Sequence, residues 1–169
     1  MANRIIKFVF FLIVIYLISF VVKTFVAQVF YLPTNSMEPA LKQGDRVLVW
    51  KWGKYEPKRG DIVVYNYTSP EDSKKVFLIK RITALAGETI KIRKSGVYIN
   101  GKKLNENPFN AIKTESVSDF GPFNVPKDTV FVLGDNIAHA SDSRQLGPVP
   151  LKDVVGKMIK IISRRKSEK

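Results

Sequence analysis

Cysteine is absent from the 169-residue chain, and histidine occurs once, at His139. The lack of cysteine excludes disulfides, thiolate nucleophiles, zinc fingers and iron–sulfur clusters, and one histidine makes no histidine-rich metal site. We therefore expect neither a metal nor a cofactor. Acidic residues are scarce as well, since 15 Asp and Glu stand against 28 Lys and Arg, for a formal net charge of +13. Such an excess favours anionic partners, either nucleic acid or acidic lipid headgroups.

Apolar residues make up 45% of the chain, enough for a sizeable core, and the length suits one domain with little left for a second. The strongest shift in composition lies at the start, where residues 8–22 carry no charge. If Lys7 and Lys23 reach outward, residues 5–27 are long enough to cross a bilayer, which takes about 20 residues. We predict an N-terminal transmembrane helix.

Two other interpretations of this segment stay open. A cleaved secretory signal carries small residues at its cleavage site, whereas residues 23–28 lack an A-x-A-like pair. A buried core helix is seldom apolar on every face, as this segment is. Arg4, Lys7 and the terminal amine precede the apolar block, and Lys23 and Lys42 follow it, a balance that favours an N-terminus inside the cell.

From residue 45 onward the chain shows no helical periodicity. Instead, runs rich in Val, Ile and aromatic residues recur at regular spacing, which predicts strands. The predicted strands are residues 46–52, 61–67, 76–84, 89–93, 97–99, 129–133 and 154–162. Residues 105–127 contain three prolines and are expected to form a surface excursion. The predicted fold is mainly β: one N-terminal transmembrane helix followed by a single antiparallel β domain.

A loop just after the predicted membrane segment reads PTNSMEP over residues 33–39. Two prolines bracket a run of mostly small polar residues. The loop is either a rigid linker with a turn, or a stiff support that holds Ser36 as a nucleophile.

A lysine interrupts an apolar strand face in the predicted strand 76–84, which reads VFLIKRITA. Because side chains alternate along a strand, Lys80 shares its face with Leu78 and Ile82. Lys80 is either an edge lysine that reaches solvent or a buried amine. Burial lowers a lysine pKa, and a shift to about 7–8 requires roughly 3–5 kcal/mol. A neutral amine near pH 7 is a competent general base.

A polar segment, GDNIAHASDSRQLG at residues 134–147, follows the predicted strand 129–133 directly. It is either a solvated loop or an ion-pair network that braces a site. The candidate pairs are Arg81 with Asp135 or Asp142, and Asp142 with Arg144. His139 in this loop is a conceivable base for Ser36 or Ser141, but a lone histidine in a polar loop is more often incidental. No G-x-S-x-G occurs, which argues against an α/β-hydrolase.

Taken together, these segments resemble the type I signal peptidases, with a Ser/Lys dyad. Four motif blocks stand in the family order: PTNSMEP at 33–39, GDRVLV at 44–49, KRITALAGE at 80–88, and GDN with SDSR at 134–136 and 141–144. Each block alone is a weak or moderate signal, and four in order are a strong one. The likeness runs from the membrane anchor to about residue 149.

The resemblance implies a role for each matching residue. Ser36 would be the nucleophile, and Lys80 its unprotonated general base. The Thr34 hydroxyl and the Ser36 backbone N–H would bind the oxyanion. Bracing roles fall to Asp142 and Arg144, with Arg81 and Asp135. Shallow pockets for small substrate side chains would be lined by Pro33, Met37 and Ile79.

The chain departs from the family pattern at four positions. The family usually has proline where Ala86 stands, aspartate where Glu88 stands, and arginine where Ile137 stands. It also usually has a serine, which hydrogen-bonds the lysine amine, where Ala140 stands. Ser141 or a water molecule is the expected replacement for that hydroxyl.

The resemblance implies a membrane-anchored serine endopeptidase that removes signal peptides from exported precursors through an acyl-enzyme. The alternative is a catalytically weak or inactive relative that acts as a binding or assembly factor for surface proteins. The charge alone suggests a nucleic-acid binder, but no nucleic-acid motif appears. A soluble self-cleaving Ser/Lys protease is disfavoured by the anchor.

The expected organisation has four segments: a cytoplasmic segment at 1–7, the transmembrane anchor and juxtamembrane stretch at 8–30, a β-rich peptidase domain at 31–163 and a basic tail at 164–169. The expected partners are signal peptides and the lipid membrane, with no nucleic acid, for a monomer. We expect a single-pass protein of the plasma or inner membrane with its catalytic domain outside the cytoplasm. Near the membrane, Phe25, Val29, Phe30, Tyr31 and Leu32 are expected to rest on the lipid.

Overall fold

The computed structural model describes residues 2–21, 24, 26–51, 53, 55–70, 73–109, 112, 114 and 118–164. Helix α1 spans Ala2–Val21. Within it, Asn3–Val21 has a mean hydropathy of 2.4 with 0% of the segment buried, so it is long and apolar enough to cross a membrane. A helix of which no part is buried among the described residues is not a core helix, which removes that interpretation. The predictions for Lys23, for Phe25 and for the tail beyond residue 164 concern residues outside the described part of the chain.

The rest of the described chain is built mainly from short antiparallel strands. Their alternation follows the sequence, as in Arg46–Trp50, where Val47 and Val49 point inward and the two ends are exposed. The strands are β1 (Ala27–Tyr31), β2 (Arg46–Trp50), β3 (Ile62–Thr68), β4 (Lys75–Ala84), β5 (Thr89–Arg93), β6 (Gly96–Ile99), β7 (Lys102–Lys103), β8 (Phe120–Asn124), β9 (Thr129–Leu133), β10 (Val149–Pro150) and β11 (Val154–Ser163). A one-turn helix, α2 (Ser143–Leu146), precedes β10.

The strands form two sheets. The larger has the order β1-β2-β11-β3-β4-β9-β10, and the smaller has the order β7-β6-β5-β8. Strand β4 joins the two halves of the larger sheet, because it pairs with β3 along its first part and with β9 from Arg81 onward. Its burial changes accordingly, from exposed at Lys75 to fully buried at its end. This transition places residues 79–81 at the border between an open edge and the core.

The prediction of a mainly β fold after an N-terminal apolar helix is confirmed. Strands β5 and β9 have the predicted bounds, and the other predicted strands differ by a residue or two at their ends. Strand β8 lies inside residues 105–127, so the expectation of a surface excursion there is wrong for Phe120–Asn124. A proline is tolerated in β8 because this strand is at the edge of its sheet.

Four of the five residues of strand β1, 27–30, lie within the stretch 8–30 that the sequence assigned to the anchor and juxtamembrane region, and the strand pairs with β2. Its residues alternate between core and surface. Phe30 and Leu32 are buried in the core, whereas Val29 and Tyr31 are exposed. Of the residues expected to rest on lipid, Phe30 and Leu32 are therefore unavailable for it, since their side chains support the sheet.

Candidate active site

Ser36 lies in the loop between β1 and β2, and backbone hydrogen bonds hold this loop at both ends. The Leu32 N–H donates to the Asp45 carbonyl at 3.0 Å, and the Gly44 N–H donates to the Leu32 carbonyl at 2.8 Å. Gly44 has a φ of +94°, a conformation that glycine adopts without strain. The far side of the loop is held by the Asn136 N–H, which donates to the Ser36 carbonyl at 3.1 Å. Ser36 is thus fixed between β1 and the loop after β9.

Lys80 extends from β4 to the same point. Its Nζ atom lies 3.0 Å from the Ser36 Oγ atom, and it donates a second hydrogen bond to the Ile79 carbonyl at 3.1 Å. Only 4% of Lys80 and 6% of Ser36 is exposed. Burial lowers the pKa of the Lys80 amine, against the opposing charges of Asp142 and Asp135, which raise it. The arrangement therefore favours an amine that gives up its proton more readily than an exposed lysine.

The Thr34 hydroxyl stands on the other side of the serine. Its Oγ1 atom lies 3.1 Å from the Ser36 Oγ atom, with either hydroxyl able to donate. When Ser36 donates its proton to a neutral Lys80, Thr34 is the donor to Ser36. Thr34 thus places a second hydroxyl hydrogen beside the oxygen that would attack a substrate carbonyl.

A buried ion pair anchors the residue after Lys80. The Arg81 guanidinium donates to both Asp135 carboxylate oxygens, at 2.7 Å from Nε and 2.6 Å from Nη2. A third guanidinium nitrogen donates to the Gly60 carbonyl at 2.8 Å. Of the two partners considered for Arg81 from the sequence, Asp135 and Asp142, the structure pairs it with Asp135.

The Asp142 carboxylate, which is fully buried, organises the loop that follows β9. It caps helix α2 with a capping box completed by Gln145. It also accepts from the Gly134 N–H at 3.1 Å and from Arg144 Nε at 2.8 Å. Arg144 Nη2 in turn donates to the carbonyls of Ile137 at 2.6 Å and Ala140 at 3.0 Å. One carboxylate and one guanidinium therefore fix the whole turn beside the serine.

A small cleft of about 80 Å³ opens beside the serine and the lysine. Its walls come from β1, from the serine loop and from the start of β4, and they are mostly apolar. The lining residues are Phe30, Tyr31, Leu32, Pro33, Thr34, Ser36, Met37, Phe77, Leu78, Ile79 and Lys80. Pro33, Met37 and Ile79 all lie there, with Met37 buried in the floor at 1% exposure. A cleft of this size suits small side chains.

Comparison with known proteins places the chain in a family. The family model described as "Signal peptidase, peptidase S26" matches residues 4–162. The chain belongs to this signal peptidase family. The match confirms the resemblance seen in the motifs and, with it, the class of the enzyme, a serine endopeptidase.

Individual signal peptidases are similar over most of the chain. The probable signal peptidase I-2 of Synechocystis sp. is 39% identical over 140 residues, which are 80% of this chain and 63% of that protein. Signal peptidase I P of Bacillus subtilis subsp. natto is 38% identical over 150 residues, 83% of this chain and 79% of that protein. A crystal structure of a signal peptidase I from Enterococcus faecalis V583 has 31% identity and a TM-score of 0.49, over 63% of this chain and 100% of that one.

Two of the chain's four departures from the signal peptidase motifs, Ile137 and Ala140, fall in the loop after β9. Ala140 is buried and carries no hydroxyl, and Ser141 is exposed. Within the described part of the chain, Ser36 and Ile79 are the hydrogen-bond partners of the Lys80 amine. Ser141 thus does not take the place of a serine at position 140, and the Ile79 carbonyl accepts an amine hydrogen instead.

His139 takes no part in the dyad. Its side chain is exposed, and its Nδ1 atom lies 3.1 Å from the Asn136 Oδ1 atom. The incidental interpretation of this histidine agrees with that position.

Two residues of the GDN motif matter more than the sequence analysis recognised. Asn136 holds the serine loop through its backbone N–H and through its side chain, which donates to the Asn35 carbonyl at 3.3 Å. A Cβ atom at Gly134 would lie 2.6 Å from the Ser36 carbonyl oxygen and would collide with Ala140. Because Gly134 has no side chain, the loop after β9 can pack against the loop that carries Ser36. Their place in a matching motif was the available signal, but the pairing of distant loops was not visible in the sequence.

Proposed function

We propose that this signal peptidase family member cleaves signal peptides from exported precursors with Ser36 as nucleophile and Lys80 as general base. One observation carries the proposal: a buried amine, with a lowered pKa, lies 3.0 Å from a buried serine hydroxyl. An ammonium cannot accept a proton, so the base must be neutral before the reaction begins. Burial on the β4 strand favours that condition, because it lowers the pKa of the Lys80 amine.

The reaction follows from the positions of the groups. Neutral Lys80 takes the Ser36 proton while Oγ attacks the scissile carbonyl carbon. The oxyanion that forms is bound by the Thr34 hydroxyl and the Ser36 backbone N–H. The Lys80 ammonium then protonates the leaving amine, which frees the mature protein and leaves an acyl-enzyme. Lys80 next takes a proton from water, the hydroxide attacks the ester, and the ammonium returns that proton to Ser36.

Two buried ion pairs, Arg81 with Asp135 and Arg144 with Asp142, keep this geometry without contacting the substrate. Asp135 holds Arg81, the residue next to the base, and Arg144 holds Asp142 under the loop that contacts the Ser36 carbonyl. Charge-assisted pairs of this kind, when buried, restrict the backbone on both sides. We assign to all four residues a positioning role.

The substrate enters as an extended peptide beside β4. In the described residues no strand pairs with the free edge of β4 before Arg81, so backbone groups there are open to a peptide strand. Pro33, Met37 and Ile79 line the cleft that receives small side chains before the scissile bond. The cleft's small volume selects against large side chains at these positions.

The family and the apolar helix indicate a membrane-anchored enzyme. Within that frame, the proposed topology is single-pass in the plasma or inner membrane, with a cytoplasmic N-terminus and the catalytic domain outside. The basic residues Arg4 and Lys7 before the span support this orientation. We further propose that the protein acts as a monomer and binds no nucleic acid, its positive charge serving attraction to acidic lipids.

The test uses the full chain in detergent and a precursor whose signal ends in Ala-x-Ala. Wild type should release the mature product, and Ser36→Ala and Lys80→Ala should each lower the rate by about 10⁴-fold or more. Ser141→Ala and Lys91→Ala are the matched controls, since both residues are exposed, and these variants should retain the rate. If wild type and Ser36→Ala bind the precursor equally and neither cleaves it, the protein is a binding factor and the proposal is wrong.

A further inference from the structure

The phenol of Tyr65 is a buried polar group without a hydrogen-bond partner in the described part of the chain. Only 2% of the residue is exposed. An unpaired buried hydroxyl costs about 1–3 kcal/mol relative to a paired one, so its presence in a core strand calls for a reason. Its surroundings provide one.

Tyr65 is a diagonal neighbour of the general base. In the pairing of β3 with β4, Val63 lies opposite Lys80 and Tyr65 lies opposite Leu78. Paired residues share one face of a sheet, so Tyr65 and Lys80 project from the same face, two positions apart across the strands. Diagonal pairs of this kind are within reach of long and aromatic side chains.

The oxygen of the Tyr65 hydroxyl is buried. Tyr65 lines the wall of a cleft of about 550 Å³ between β3 and the segment after α2, yet its oxygen is not accessible. The buried Asp142 carboxylate is close enough to raise the pKa of the Tyr65 phenol, in addition to the effect of burial, and it acts on the Lys80 amine as well.

One N–H group of the Lys80 amine has no hydrogen-bond acceptor among the described residues. A lysine ammonium has three N–H groups, and the described acceptors are the Ile79 carbonyl and the Ser36 hydroxyl. In the neutral amine the lone pair faces the Ser36 hydroxyl, one N–H bonds to Ile79, and one N–H has no partner. Asp142 does not take it, since both carboxylate oxygens already accept from the Gly134–Arg144 turn.

We propose that the Tyr65 hydroxyl is linked to the Lys80 amine through one water molecule, as the third hydrogen-bond partner of that amine, and that it aims the lone pair at Ser36. Tyr65 is a positioning residue, because it acts on the base and not on the substrate. The inference rests on the proposed function, in which Lys80 is the general base.

The deciding variant is Tyr65→Phe, which keeps the ring and removes only the hydroxyl. Without the third partner the amine rotates more freely, so kcat at the high-pH plateau should fall by about three- to tenfold with KM unchanged. The lost hydrogen bond also stabilised the ammonium, so the acid limb of the kcat/KM profile should move to lower pH. The urea midpoint should fall slightly, since one buried hydrogen bond is lost. Tyr67→Phe, on the same strand face and half-buried, is the matched control and should change none of these.

An unchanged plateau or an unmoved acid limb in Tyr65→Phe overturns the proposal. A measurement on the wild-type protein needs neither a variant nor a substrate. The ¹³Cζ NMR signal of Tyr65 should shift with pH at the midpoint of the Lys80 titration, read from the Lys80 ¹⁵Nζ signal. A Tyr65 signal that stays flat through that titration overturns the proposal even if the enzyme is active. Absence of cleavage by wild type, with the coupled NMR titration intact, would contradict only the proposed function.

Discussion

The Lys80 Nζ atom lies 3.0 Å from the Ser36 Oγ atom although 44 positions separate the two residues in the chain. The lysine is fixed by a sheet strand and the serine by a loop that two other parts of the chain hold. Such a contact between rigid supports needs no rearrangement before the proton moves, which is the condition for efficient general base catalysis.

Activity should depend on pH through the lysine. The pKa of Lys80 is lowered from the ordinary lysine value of 10.5 by burial, against the charges of Asp142 and Asp135. Only the neutral amine accepts the Ser36 proton, so the rise of kcat/KM with pH should have its midpoint below 10.5, the ordinary lysine value. The measurement is the initial rate of precursor cleavage across the pH range.

His139 provides the control for this profile, since histidine is the side chain that most often serves as a general base. His139→Ala should leave the rising limb where it is, because the histidine is exposed and bonds only to Asn136 among the described residues. A limb that disappears in this variant would assign the base to histidine.

Replacing the base with an apolar side chain of similar length should stabilise the fold. In Lys80→Met the buried amine is gone, so the free energy of unfolding at pH 7 should rise by about 1 kcal/mol or more while cleavage is lost. The sign follows from linkage: a lowered lysine pKa means that the unfolded chain binds more protons, so wild-type stability rises with pH between the folded pKa and 10.5.

Urea unfolding of both proteins at several pH values checks this prediction. The difference between Lys80→Met and wild type should shrink as the pH approaches 10.5, the ordinary lysine value. A variant that is less stable than wild type at pH 7 would show that the amine contributes to the fold instead of straining it.

The buried pair next to the base should be costly to break. Asp135→Ala leaves the Arg81 guanidinium buried without its carboxylate, which should lower the free energy of unfolding by roughly 3–5 kcal/mol. The control is Asp119→Ala, which removes an ion pair with Arg93. The Asp119 side chain is 59% exposed, so this loss should cost about 0–1 kcal/mol. Equal losses in the two variants would contradict the role assigned to burial.

The sequence predicted which residues belong to the site better than it predicted which of them contact each other. Alternation along β4 was enough to find Lys80 on an apolar face between Leu78 and Ile82. It was not enough to choose between Asp135 and Asp142 as the partner of Arg81, since both lie in one loop and only the folded register of β4 against β9 decides.

Strands β1, β7, β8 and β10 escaped prediction, and the two longer ones, β1 and β8, did so for different physical reasons. β1 continues the apolar run of the anchor, and composition alone does not separate an apolar strand from the end of an apolar helix. β8 contains Gly121 and Pro122, which normally interrupt strands. Its edge position removes the cost of the proline, and edge positions are set by the whole sheet.

The contact between Gly134 and the serine loop gives the sharpest structural prediction for activity. In Gly134→Ala the new Cβ atom would lie 2.6 Å from the Ser36 carbonyl oxygen, closer than packing permits. The loop must therefore move away, and a shift of about 1 Å at the nucleophile is enough to cost on the order of 10²-fold in kcat.

The control for this variant is Gly87→Ala, where φ is +81° and no atom lies within 4 Å of the new Cβ. That change strains the backbone by about 1 kcal/mol or more without approaching the site, so it should lower stability and leave kcat near wild type. The comparison separates displacement of Ser36 from a general loss of stability. If both variants kept the wild-type kcat when measured on folded protein, the close approach at Gly134 would not be what places the nucleophile.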